Sequence, residues 1–231
     1  MSATTDSVHT LATPTRQDQD SSSNTAATTA STASHDASGI QPASSTASAA
    51  ELASTKISLL GALKTFPDFP IPGINFIDIL PLFQDPVIHN ALLRALELQV
   101  ELSSTKPDVI VGLDARGFLF GPSLALRLKA SFVPVRKRGK LPGPCVTAAY
   151  EKEYGTDYFE MQEGAVKPGQ KVLVVDDIIA TGGSAAAAGA LVKQLGADLV
   201  GYLFILEIPF LKGRDKLDGL PTVTLLETNG A

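Results

Sequence analysis

An α/β fold with a central, mostly parallel five-stranded sheet flanked by helices is what this sequence predicts, and three observations predict it. The runs VIVGL at 109–113 and VLVV at 172–175 are short and continuously apolar, the pattern of strands buried on both faces. Each ends in acidic residues and a glycine-bearing loop ahead of a helix-forming segment. Three further apolar runs, 132–135, 199–206 and 222–226, bring the strands to five.

In chain order, residues 1–55 belong to none of these units. Ser, Thr and Ala dominate them without apolar periodicity, so they bury too little surface to offset the entropy of ordering, and a disordered tail is expected. Five acids (Asp6, Asp18, Asp20, Asp36, Glu51) stand there against Arg16, which takes most of the chain's net charge of −5 and leaves the domain at 56–231 nearly neutral. A neutral domain with one short basic cluster argues against nucleic acid as a partner. The tail lacks the apolar core of a secretory signal, and no apolar run is long enough to span a membrane. Cys145 is the single cysteine, which excludes an intrachain disulfide framework and agrees with a reducing, cytoplasmic setting.

From Ile57 a short helix is expected, then a turn punctuated by Pro67, Pro70 and Pro72, each of which disfavours helix at the preceding residue. Asp85 followed by Pro86 is a helix start. Behind it Val87/Ile88, Ala91/Leu92 and Ala95/Leu96 recur every four residues, an amphipathic helix to about Leu102 with His89 off the stripe as a solvated residue. The strand 109–113 leads through Asp114–Gly117 into a helix from Pro122 to about Lys129. In the strand 132–135, Pro134 implies a position near an edge or a bulge. Arg136, Lys137, Arg138 and Lys140 follow as a basic cluster, and 141–162 reads as two extended arms with a mobile connection, the size of a lid.

The strand 172–175 ends at Asp176 and Asp177, followed by the loop 178–183 and an alanine-rich helix opened by Ser184. A glycine loop and a helix N-terminus at the carboxyl edge of a parallel sheet favour an anion, and a phosphate suits them. The flanking carboxylates would repel that phosphate, so they fit neutral hydroxyls or a metal carried by the ligand. Hydroxyls plus phosphate imply a sugar phosphate. No GxxxxGK[ST] is present, and no GxGxxG follows this strand, which weakens the nucleotide-triphosphate and dinucleotide alternatives.

VLVVDDIIATGGS at 172–184 resembles the phosphoribosyl pyrophosphate (PRPP) signature of type I phosphoribosyltransferases. GLDARGFLFGPSLA at 112–125, VRKRGKLPGP at 135–144, EYG at 153–155 and LKGRDKL at 211–217 resemble the adenine branch of that family, and the likeness covers roughly 57–231. The resemblance implies transfer of 5-phosphoribosyl from PRPP to adenine, giving AMP and pyrophosphate, with Mg²⁺ carried mainly by PRPP. It implies a small N-terminal base-binding region, and a homodimer. Ala180, Thr181, Gly182, Gly183 and Ser184 are then expected to hold the 5′-phosphate, and Asp176 and Asp177 the ribose hydroxyls. Arg116, Arg136, Lys137 and Lys140 match residues that reach pyrophosphate, in part across a dimer interface. Glu153 matches the general acid/base, and Phe76 the aromatic beneath the base, with backbone groups of Asn75 and Ile77 reading its edge. Ile77 departs from the commonest pattern, which has arginine there. A PRPP sensor without catalysis and a phosphoribosyltransferase for another base are the two alternatives; the lid with Glu153 and Arg116 speaks against the sensor.

Overall fold

The computed structural model describes residues 43–103, 106–152 and 155–227. Helix α1 (Ala43–Ala62) opens this part, and it corrects the expected boundary at 55/56. Composition hid it, because Ser, Thr and Ala fill most of its first half. Leu52 and Leu59, seven residues apart and so on one helical face, are nonetheless buried. Glu51 adds a two-pronged ion pair to Arg94 (Oε1–Nε 3.0 Å, Oε2–Nη2 3.2 Å). Residues 1–42, the rest of the expected tail, lie outside the described residues.

Strands β1 (Lys64–Phe66) and β2 (Phe76–Asp78) pair antiparallel around the proline turn and form a small separate sheet. The short α2 (Pro81–Gln84) leads to α3 (Pro86–Leu102), which starts as expected: Asp85 Oδ1 accepts from the N–H groups of Val87 (2.7 Å) and Ile88 (3.2 Å). The stripe differs from the expected one. Val87 is exposed, whereas Leu93 and Leu98 are buried and His89 turns inward, its ring edge-on to Phe83 and its Nε2 buried without a partner.

The main sheet comprises β3 (Val109–Leu113), β4 (Ser131–Lys137), β5 (Cys145–Lys152), β6 (Gly155–Gln162), β7 (Lys171–Ile179), β8 (Asp198–Glu207) and β9 (Thr222–Glu227). Their spatial order is β5-β6-β4-β3-β7-β8-β9. The five expected strands are the parallel set β4-β3-β7-β8-β9. The two lid arms join them as an antiparallel hairpin and extend the sheet to seven. Pro134 pairs with Gly112 on one side, while β6 meets β4 only at Arg136 and Lys137. The missing N–H of Pro134 therefore costs no ladder bond, the local edge position a proline requires.

Helices α1, α3 and α4 (Gly121–Leu128) pack with one face of the sheet, and α5 (Gly183–Gln194) with the other, each over its own apolar cluster. The buried positions of α5 are mostly Ala185, Ala187, Ala188 and Gly189, so the helix lies close on the strands. That closeness carries its N-terminus to the carboxyl edge of β7. Among the described residues, no helix is long and apolar enough to cross a membrane.

Candidate active site

The carboxyl edge of β3 and β7 gathers most of the expected site. Strand β7 runs past the point where apolarity ends, because β8 pairs with it through Ile178–Leu206 and Ile179–Glu207. Asp176 and Asp177 thus stand within the strand, at its sixth and seventh residues, rather than beyond it. Asp177 is fully buried, its Oδ2 accepting from Arg116 Nε, while its Oδ1 is buried with no hydrogen-bond partner. Burial and the adjacent Asp177 charge push the Asp176 carboxyl well above the usual carboxylate range. Burial works against the Arg116 guanidinium, but its hydrogen bond and charge interaction with Asp177 prevail and hold its pKa up.

Ala180, Thr181 and Gly182 turn from β7 into α5, which begins at Gly183 rather than after Ser184. Gly182 caps the helix at φ 77°, a left-handed conformation glycine adopts freely, and no side chain caps the end. The first backbone N–H groups of α5 face outward without intrahelical acceptors, a ready anion site. Together with Arg116, Asp176, Asp177, Thr181 and Ser184 they border a cavity of about 310 Å³.

A second cavity, about 450 Å³, shares Arg116, Asp177 and Ile178 with the first. Its other walls are largely apolar: Phe66, Phe69, Phe76, Ile77, Ile79 and Leu80, with Asp78. Phe69 meets Phe76 edge-on at 5.1 Å between ring centroids. Phe66, Phe69, Leu80 and Ile178 were not singled out from sequence; the aromatic spacing in KTFPDFPIPGINF was the available signal. Asn75 is exposed and not among the lining residues of this cavity. Ile77 lines it and also packs against the apolar core.

The basic cluster is only partly drawn in. Arg136 Nε pairs with Asp114 Oδ2 at 3.0 Å, and its Nη1 donates to the Lys140 carbonyl at 3.3 Å. Lys137 and Lys140 are exposed and line neither cavity. Arg138 lies over the Tyr158 ring. The turn itself is clamped by Glu160, 5% exposed, which accepts from the N–H groups of Gly139 (3.1 Å), Lys140 (2.9 Å) and Leu141 (2.7 Å). Burial alone would raise the Glu160 pKa; the three N–H donors outweigh it and hold it below the ordinary value. Glu153 lies outside the described residues, between the two arms. Among the described residues, no group of three or more His, Cys, Asp or Glu is placed to cage a metal ion.

Residues 88–216 match the family described as the phosphoribosyl transferase domain. An adenine phosphoribosyltransferase of Yarrowia lipolytica is 58% identical over 177 residues, 76% of this chain and 97% of that protein. Its counterpart in Debaryomyces hansenii is 55% identical over 76% of this chain and 93% of that protein. Among solved structures, the Saccharomyces cerevisiae adenine phosphoribosyltransferase complexed with an imino-altritol bisphosphate and adenine aligns with a TM-score of 0.73 at 56% identity, covering 75% of this chain and 99% of that one.

Proposed function

The chain belongs to the adenine phosphoribosyltransferase family, and from that premise we propose how its residues divide the reaction. The enzyme transfers 5-phosphoribosyl from PRPP to adenine, giving AMP and pyrophosphate. The observation that carries the division of labour is the pair of cavities meeting at Arg116 and Asp177. One is apolar and aromatic, suited to a purine; the other is polar and ends on a helix N-terminus, suited to a phosphorylated ribose.

In this reading Ala180–Ser184 and the α5 N-terminus hold the 5′-phosphate. Asp176 and Asp177 accept from the ribose hydroxyls, and the unpartnered Oδ1 of Asp177 supports that role, since a hydroxyl donor relieves a buried orphan acceptor. Arg116 exchanges part of its bond to Asp177 for a pyrophosphate oxygen, and Arg136, Lys137 and Lys140 add positive charge on the leaving-group side. Magnesium enters with PRPP as part of the substrate, where it neutralises the diphosphate. Such an ion keeps several of its waters and takes substrate phosphates with one or two carboxylates.

Adenine lies between Phe76 and the apolar wall, its polar edge read by backbone groups of residues 75 and 77. The C1′–oxygen bond to pyrophosphate breaks as a bond to N9 of adenine forms, and Glu153 takes the N9 proton. Charge at C1′ is cationic in the transition state, so the neighbouring carboxylates stabilise it. The β5–β6 hairpin excludes water from the ribosyl group. A homodimer and a cytoplasmic setting belong to the same proposal.

Calorimetric titration of Asp177→Asn tests the division: PRPP binding is expected to weaken by about tenfold or more, with adenine binding within about twofold. Unchanged PRPP affinity in that variant removes Asp177 from the ribose site.

A further inference from the structure

Strand β8 is followed by a segment that touches the phosphate loop from behind. Ile208 N–H bonds the Ile179 carbonyl at 3.0 Å, and two single-turn 3₁₀ segments follow, Pro209–Leu211 and Gly213–Lys216. At Gly213 the backbones of this segment and of the loop are in direct contact. A Cβ on Gly182 would clash with the Gly213 carbonyl, and a Cβ on Gly213 would clash with the Ala180 carbonyl and lie 3.0 Å from Gly182 N. With no side chain between them, any shift of residue 213 displaces the loop.

Residue 213 is held by its neighbour. Arg214 Nε donates to Glu207 Oε1 (2.8 Å) and Oε2 (3.0 Å), and Nη2 to Glu207 Oε2 (2.6 Å) and Thr224 Oγ1 (3.1 Å). Nη1 donates to the Thr222 carbonyl at 2.5 Å. Thr224 Oγ1 also donates to Glu207 Oε2 at 3.3 Å, so acceptors on β8 and β9 are tied to one guanidinium. The planar fork of arginine serves these acceptors together, which a lysine ammonium cannot do. Arg214 lines neither cavity, so it has no direct hold on substrate.

We infer that Arg214, anchored by Glu207, Thr222 and Thr224, is a positioning residue that sets the 5′-phosphate loop through the Gly213–Gly182 backbone contact. The inference rests on the assignment of residues 180–184 to the 5′-phosphate. A loop whose donors are displaced loses hold of that phosphate, while adenine and pyrophosphate, bound elsewhere, are unaffected.

Calorimetry on the full chain with ribose 5-phosphate, pyrophosphate and adenine as separate probes tests it. Arg214→Gln is expected to weaken ribose 5-phosphate by about tenfold, with the other two within about twofold, and in turnover to raise KM for PRPP more than it lowers kcat. Thr224→Val, which removes one partner without unpairing a charge, is expected to weaken ribose 5-phosphate by about two- to threefold, and it carries the test if Arg214→Gln does not fold. Ribose 5-phosphate affinity equal to the parent's in a folded variant, or equal weakening of all three probes, overturns the inference. A parent chain that binds no ribose 5-phosphate overturns the loop assignment itself.

Discussion

Asp176 carries the clearest pH signature of the site. In the free protein, burial and the Asp177 charge favour its protonated form, whereas ribose hydroxyls need an ionised acceptor. PRPP binding should therefore release a proton from Asp176, and affinity should weaken on the acid side of its raised pKa. Titrations in acidic buffers of different ionisation heat measure that release: the parent is expected to give up a proton on binding PRPP and Asp176→Asn to give up none, and equal proton exchange in the two chains contradicts the assignment. Glu160 has the opposite sign. Its folded pKa is lowered, so its stabilisation is present above the ordinary value of 4.5 and lost as pH falls through the lowered one. Glu160→Gln should cost about 2–3 kcal/mol at neutral pH, because three N–H donors lose a charged acceptor. Urea unfolding should show that gap closing as pH falls below the ordinary value of 4.5 and through the lowered one; a gap independent of pH contradicts the ionised clamp. Ile77 packs on the core, so the arginine of the commonest pattern is not needed if recognition is by backbone. Ile77→Arg should then leave kcat/KM for adenine within about threefold, and a larger change makes the side chain a specificity determinant.

Helix α1 shows at the element scale what composition conceals. Deleting residues 1–42 should leave the melting temperature and activity unchanged, whereas deleting 1–55 removes Leu52 and the Glu51–Arg94 pair. Burial of one leucine contributes about 2 kcal/mol, which corresponds to a fall of roughly 4–8 °C in a domain of this size. Equal melting temperatures for the two truncations contradict a docked α1. The parallel strands were legible because each is a continuous apolar run, and Asp85–Pro86 was legible because capping is local chemistry. The end of β7 was not, since its last residues are held by β8, a partner distant in sequence. Of the site, the phosphate loop and the acidic pair were visible as motifs, but the apolar cavity was not, because Phe66, Phe69 and Ile178 meet only after β1–β2 folds against β7. Glu153 belongs to the connection between β5 and β6, and its role is tested by kinetics. Glu153→Gln should lower kcat by roughly 10²–10⁴ with PRPP binding little changed, the range for losing a positioned proton-transfer group. A variant within about twofold of the parent makes Glu153 an ordinary surface carboxylate.

At the scale of the whole molecule, the parallel sheet brings two loops and a helix N-terminus to one edge, and the small β1–β2 sheet supplies an aromatic wall. Fixed backbone donors and acceptors matched to the amino edge of adenine would leave a 6-oxo purine mispaired, and such mispairing rejects an analogue by as much as ~10⁴. The most direct measurement is pyrophosphate release from PRPP with adenine, hypoxanthine and guanine in turn, compared as kcat/KM. Adenine is expected to exceed hypoxanthine by about 10³–10⁴; comparable values for the two bases, or no release with adenine, contradict the function assigned to these residues.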